Sequence, residues 1–516
     1  MRKLLTALLL ACMLLNVVAP ASAASPSLWG EWTYVGSYED GDFSDETGND
    51  SREVYTFTKD KRWTCAVNGK QTDAGQLEVK DGVYTVLFNG TKPRTALLLD
   101  TGYLVLGNHE SGLVFTRNGK LSSFKKVEAG MTKDGLSYEQ LPDGTIMITG
   151  HKSNDLREGK PIDLKIPQKI GGATVSTIGD LAFYGNRLLR SVTIPKTVRY
   201  IHREAFSECA NLQKVTIPES VNAIGKYVFN SCTSLADCKL PKSLQAIDIN
   251  PFSGCTALKE IVLDKANRWY HLDGGALIET DSDYLIAFPA GSSAESYSVP
   301  DYIVRLETAA FMGCGTLRSV EIPSSVTRIR SYVFEDSGLT SITIPAAVTR
   351  MDSNPFNRCR SLESVAVEEG NKTFYSVDGV LFDRESATLI YYPMGAPASS
   401  YTIPEGTKII GADAFLRCNL SEVIIPGSVT TIEDYAFYGM EHLNNIIIPD
   451  SVTELGAYTF GECRALTDIS IPASVREIKG CTFIYTPLRQ LVVAEGTAID
   501  ETAFDDCEYE VEVIYQ

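Results

Sequence analysis

A block of 22 or 23 residues recurs through most of the chain after residue 135, and a chain built from such blocks folds as a stack of coils. One block reads Leu212-x-x-Val215-x-Ile217-Pro218-x-Ser220-Val221-x-x-Ile224-Gly225-x-x-Val228-Phe229-x-x-Cys232-x-x-Leu235. Its proline returns at Pro195, Pro218 and Pro241, at Pro323 and Pro345, and at Pro404, Pro426, Pro449 and Pro472. Its ring returns at Phe183, Phe206, Phe229, Phe252, Phe311, Phe334, Phe356, Phe415, Phe437, Phe460, Phe483 and Phe504. Val and Ile two residues apart share one face of a short strand, because side chains alternate. Proline then stops the ladder and sets a turn. The run Ser-Val-x-x-Ile-Gly bends the chain, with glycine available for a positive φ. Ala-Phe-x-x-Cys sends a ring and a thiol inward, and only stacked neighbours can bury them. The expected fold is a repeat solenoid with short parallel strands.

Two coils are longer. Segments 264–298 and 368–402 sit between strand and proline and align at an offset of 104, as do Asn250-Pro251-Phe252 and Asn354-Pro355-Phe356. Ala276 to Phe288 and Val380 to Tyr392 each read as strand, polar tip, strand, which predicts β-hairpins projecting from the stack. A lengthened coil packed on its neighbours and a binding device are both open for them.

Cys209, Cys232, Cys255, Cys314, Cys359, Cys418, Cys463 and Cys507 each follow the ring by three residues. Asn186, Ser337, Met440 and Thr486 take that slot in other coils, and Cys238 takes a strand core position. This placement predicts a ladder of buried free thiols. Stacked neighbours such as Cys209 and Cys232 come near bonding distance, so isolated disulfides stay open. No pair has the close spacing of a zinc ligand set, and no metal or cofactor is implied.

At this point the pattern I-P-x-S-V-x-x-I-G-x-x-A-F-x-x-C-x-x-L resembles the BspA-like class of leucine-rich repeats across about residues 135–516. Gly135-Leu136-Ser137-Tyr138, Asp143-Gly144-Thr145 and Ile166-Pro167 resemble that class's lead-in. The resemblance implies a right-handed leucine-rich-repeat array in which the Asn/Cys slot meets backbone groups inside the turn. It also implies an exported bacterial surface protein engaged in adhesion, host-protein binding or carbohydrate-associated surface work.

The remainder of the chain divides readily. Arg2 and Lys3, the apolar stretch Leu4 to Val18 and Ala21-Ser22-Ala23 read as a signal peptide over 1–23, so the protein is expected to be secreted or at the cell surface. A lipoprotein alternative through Leu9-Leu10-Ala11-Cys12 is disfavoured, since Cys12 lies inside the apolar run. Residues 24–120 show short alternating runs broken by Asn68-Gly69, Asp81-Gly82 and Asn89-Gly90, which predict an all-β barrel or sandwich. Gly30-Glu31-Trp32 resembles the G-x-W of lipocalin-like domains, which implies a small apolar ligand. Trp29, Trp32 and Trp63 could instead plug the interior. Residues 121–134 read as a connector, and 135–516 as the repeat domain.

The net charge of −18 is expected to repel nucleic acid and anionic lipid. The five histidines form no metalloprotease pair, and there is no G-x-S-x-G elbow, phosphate loop or dinucleotide glycine fingerprint. The expectation is a non-catalytic protein that binds a protein or glycoprotein through its strand face, with a small apolar ligand carrier or a structural surface component as alternatives. On that face the residues flanking each inward Val point outward. Lys214, Thr216, Glu321, Ile424, Asn445 and Ile447 are the candidate contacts, with Ile424 and Ile447 an apolar patch on successive coils.

Overall fold

The computed structural model describes residues 129–141, 145–507 and 509–516 in full, and between 30 and 116 the backbone of nine strands. The chain divides into two compact units, one of residues 1–255 and 261–271, the other of 256–260 and 272–516.

Every regular coil contributes two short strands to two parallel sheets. In the first unit one sheet runs Ile162–Lys165, Leu189–Thr193, Lys214–Thr216, Asp237–Leu240 and Val262–Leu263. The second contains Ala173–Ile178, Tyr200–Ile201, Ala223–Ile224 and Ala246–Ile247, so the Ser-Val-x-x-Ile run is itself a strand as well as a bend. The second unit repeats the arrangement, with Ser400–Thr402, Glu422–Ile424 and Asn445–Ile447 on one side and Ile409–Ile410, Thr431–Ile432 and Glu454–Leu455 on the other. In both units the repeats form a β-solenoid of stacked parallel strands. Proline follows the first strand because that position no longer needs an N–H in the ladder.

The interior is two ladders. Phe183, Phe206, Phe229 and Phe252 stack with centroids 5.0–5.8 Å apart in the first unit. Phe415, Phe437, Phe460, Phe483 and Phe504 continue the motif in the second at 5.2–5.9 Å. Each fully buried ring stabilises its coil by roughly 1.5–3 kcal/mol relative to exposure. Beside the rings, each thiol donates to the carbonyl of the preceding coil's ring residue: Cys209 to Phe183, Cys232 to Phe206 and Cys255 to Phe229, at 3.0–3.1 Å. Thr486 makes the same bond to Phe460 through its hydroxyl, at 2.6 Å. All ten cysteines from Cys209 to Cys507 are free, and burial raises the Cys359 and Cys463 thiols to about 12.

The glycine after the second strand has a different role from the one expected. Gly179, Gly225, Gly411 and Gly456 are absent from the left-handed region; positive φ falls two residues later, at Leu181, Tyr227, Asp413 and Tyr458. A Cβ on Gly225 would stand 2.7 Å from the Arg203 nitrogen, and one on Gly456 would overlap the Asp434 backbone. Glycine is there so that coils can approach. The left-handed residues turn alternate N–H groups toward the next coil, where Glu204, Phe206 and Glu208 donate to the carbonyls of Lys226, Val228 and Asn230 at 2.8–2.9 Å. These bonds offset a conformational cost of about 1–2 kcal/mol per non-glycine residue.

The long coils do not project. Ala276–Glu279 and Tyr284–Ala287 pair as a hairpin, and the latter strand continues the parallel sheet through Tyr284↔Arg305 and Leu285↔Leu306. Likewise Val380–Asp383 pairs with Thr388–Tyr391, which joins Ile409–Ile410. Phe288 and Tyr392 take the ring slot, stacking on Phe311 and Phe415 at 5.5 and 5.3 Å. The apolar alternation expected to mark a free hairpin instead serves two neighbouring cores. Leu381 and Tyr391 belong to the apolar cluster of residues 276–391, and Val380, Phe382 and Tyr392 to that of 380–503. The Asn371 amide donates to the carbonyls of Pro345 and Val348 and accepts from the Thr373 and Phe374 amides, all at 2.8–3.0 Å. Asn267 makes the equivalent bonds to Pro241, Leu244, Trp269 and Tyr270.

Between 30 and 116 nine antiparallel strands form one sheet in which Gly30–Glu39 pairs with Asp42–Asp45, with Glu53–Thr58 and with Ser111–Thr116, and the strands from Glu53–Thr58 onward pair in chain order. All nine fall within 24–120, where the all-β segment is expected. The signal peptide, the Trp29, Trp32 and Trp63 side chains, Asp143-Gly144 and most of the connector lie outside the described residues. The strand Ala129–Met131, within the expected connector, pairs with Leu136–Gln140.

Candidate functional site

The outward strand face changes chemistry along the chain, because each coil contributes one residue on either side of its inward Val or Ile. In the first unit this face neutralises itself. Lys214 pairs with Asp237, Lys239 with Asp264 at 2.7 Å, and Arg190 with Asp163 across successive coils. These pairs are exposed and contribute little to stability. Arg190 and its neighbour Ser191 hold the Asp163 carboxyl down to about 2, and Lys239 lowers that of Asp264. Thr216 is exposed and in register with Thr193.

In the second unit the face opens with hydroxyls. Ser296 pairs in register with Ser319, and Ser341 with Ser364. Glu321 accepts a hydrogen bond from Ser298 at 2.7 Å. Further on, Thr402, Ile424 and Ile447 are in register, as are Ser400, Glu422 and Asn445. Ile424 is 49% and Ile447 75% exposed, whereas Val423 and Ile446 between them are buried. In the following sheet the equivalent repeat positions are Ser470, Val492 and Ile514, in register with one another, Ser470 exposed and the two aliphatic residues half-buried. The adjoining column there carries Asp468, Gln490 and Glu512.

The six candidate contacts therefore separate. Ile424, Asn445 and Ile447 share adjacent strands, Glu321 lies on another sheet of the same unit, and Lys214 and Thr216 belong to the first unit. Glu422, Asp468 and Glu512 were not among the candidates, although tallying charge down the outward column of the repeats would have found them. An arginine ladder was also missed: Arg305, Arg328 and Arg350 are in register, one residue before each inward aliphatic. Its charge is held by Asp352, which meets Arg328 at 2.9 Å, Arg330 at 3.0 Å and Arg350 at 3.3 Å, and by Glu307 beside Arg305.

Groups with catalytic potential are tied into the scaffold. His151 Nδ1 lies 2.6 Å from the Ser153 hydroxyl, but that hydroxyl is buried and also accepts from Asn186 at 2.7 Å. His202 is buried with Asp180 at 3.8 Å, and burial lowers its pKa. Among the described residues no three His, Cys, Asp or Glu side chains cluster to hold a metal ion. Nor, among them, is any helix long and apolar enough to cross a membrane.

Stacked coils, a ring ladder and a polar turn slot define a leucine-rich-repeat scaffold. The BspA type leucine rich repeat region matches in six copies over residues 165–270, 286–384 and 391–510, and the chain belongs to that family. No curated protein matches it. Among solved structures it is similar to a leucine rich cell surface protein of Faecalibacterium prausnitzii, with 26% identity, TM-score 0.47, and coverage of 76% of this chain and 96% of that one. A leucine-rich repeat protein of Eubacterium ventriosum shares 19% identity, TM-score 0.44, with 66% and 96% covered. The pneumococcal vaccine antigen PcpA shares 20%, TM-score 0.34, with 76% and 100% covered.

Proposed function

We propose that the protein is an exported, non-catalytic binding protein that holds a protein partner on the strand face of its second unit. The observation that carries this is the pair Ile424 and Ile447. Two large aliphatic side chains stand in register on adjacent strands and are left in water. Exposing them costs solubility and contributes nothing to the core, which is served by Val423 and Ile446. The signal-like N-terminus supports export and presentation at or beyond the cell surface, where adhesion to an extracellular protein or glycoprotein fits such a face. The test is capture: the chain from residue 24 is immobilised, exposed to extracellular protein extracts, and compared with I424D/I447D. A partner retained by the parent and lost from the variant is expected. An identical retained set would overturn the proposal.

One observation favours a second activity. The meander of strands between 30 and 116 returns to its first strand, the pairing that closes a barrel, and a lipocalin-like barrel would take a small apolar ligand. Saturable, displaceable binding of a fluorescent fatty acid by the full chain is expected; its absence would remove this activity.

A further inference from the structure

We infer that the partner segment seated on residues 400–514 is a cationic amphipathic α-helix lying along the stack of coils. This rests on the strand-face reading above and specifies its partner.

Three observations converge. First, the face carries a largely apolar column (Ile424, Ile447, Val492 and Ile514, interrupted by Ser470) beside one with a carboxylate on every second coil (Glu422, Asp468 and Glu512, alternating with Asn445 and Gln490). Among the described residues none of these three carboxylates has an ion pair, in contrast to the first unit, where Asp163, Asp237 and Asp264 each have a basic partner. The nearby Arg489 guanidinium lies over the Tyr509 ring at 4.5 Å. Among the described residues, Asp468 takes the neighbouring Thr467 hydroxyl and Glu512 the Gln490 amide. Such a face presents unneutralised negative charge next to unburied hydrocarbon and complements a surface with the opposite charge and its own apolar stripe.

Second, strand addition is blocked at the strand that bears Ile424. Glu422–Ile424 is hydrogen-bonded on both edges, to Ser400–Thr402 and to Asn445–Ile447, so side chains alone are offered. Third, the spacing suits a helix. Coils follow one another at roughly 4.8 Å, close to the helical pitch of about 5.4 Å. A helix along the columns therefore presents an apolar residue to most coils and a basic residue to every second one, drawn from positions i, i+3/i+4 and i+7.

The probe is a synthetic peptide of about 18 residues, leucine at helical spacing and lysine elsewhere, with a scrambled peptide of equal composition as control. Binding to the full chain is read by fluorescence anisotropy at low and high salt. The amphipathic peptide is expected to bind, to weaken with salt, and to lose about tenfold or more in affinity on E422Q/D468N/E512Q and on I424S/I447S. The charge control D301N/E369Q/E385Q, on exposed carboxylates away from these columns, is expected to bind as the parent does. Thermal melts followed by circular dichroism confirm that each variant folds. Equal binding of the scrambled peptide, an equal loss in the charge control, no binding at all, or occupation of the face by a second copy of the chain would each overturn the inference. If I424D/I447D abolishes capture of a natural partner while the peptide fails to bind, the strand-face reading survives and the cationic helix does not.

Discussion

The slot three residues after each ring accepts Cys, Thr, Asn, Ser or Met, and where it holds Cys or Thr its physical task is constant: to give a buried carbonyl a donor where the chain turns. Cys232 performs it for Phe206 at 3.0 Å. Cys232→Ala leaves that carbonyl unpaired in the core and is expected to cost about 1–3 kcal/mol, whereas Cys232→Thr, which copies Thr486, is expected to cost less; urea unfolding of both variants checks this. The slot was legible in the sequence as a cysteine ladder because its spacing from the ring is constant. The carbonyl that each thiol serves belongs to the preceding coil, and only the stacking reveals it. Glu335 had no such signal. It is nearly buried, and burial, with Asp336 adding to it, raises its carboxyl to about 7. The folded state thus keeps a proton that the unfolded chain releases near the ordinary value of 4.5. Stability from this site is complete below about pH 4.5 and is lost as pH rises toward 7. Glu335→Gln is expected to flatten the fall in unfolding midpoint between those limits and to gain roughly 1–3 kcal/mol over the parent above pH 7.

At the scale of the coil, what matters is how near two backbones come. Gly456→Ala would drive a methyl into the Asp434 backbone, while a methyl on Gly427 meets nothing within 4 Å. Gly456→Ala is expected to destabilise by about 1–3 kcal/mol and Gly427→Ala to be neutral or slightly stabilising, a contrast read from paired thermal melts. The glycine was visible in the sequence but its purpose was not, since tight turns and close approaches both select a residue without Cβ. The hairpins show the same ambiguity. Alternation of apolar residues predicts two strands, as found, but cannot say whether one face meets solvent or a second core. Tyr391 and Tyr392, adjacent in sequence, pack into different clusters. Ile424 and Ile447 were identifiable because an aliphatic residue interrupts a polar column. The acidic column beside them was hidden in a chain where carboxylates outnumber cations, 65 to 47.

For the molecule as a whole, the repeat settles the architecture of each unit, and the equivalence of Asn267 and Asn371 sets how the array can change. Both amides tie their segment to the coil before it through the same four kinds of bond. Removing residues 268–371 would join Asn267 to Lys372 and give the new junction contacts the chain already uses. This deletion is expected to yield a soluble, cooperatively melting protein, tested by calorimetry; a deletion ten residues shorter, which breaks the register, is expected to aggregate. The matching asparagines therefore mark places where recombination between the two copies produces folded offspring. Alleles of this gene would be expected to differ in length by whole blocks of 104 residues, changing how far the binding face reaches without redesigning it.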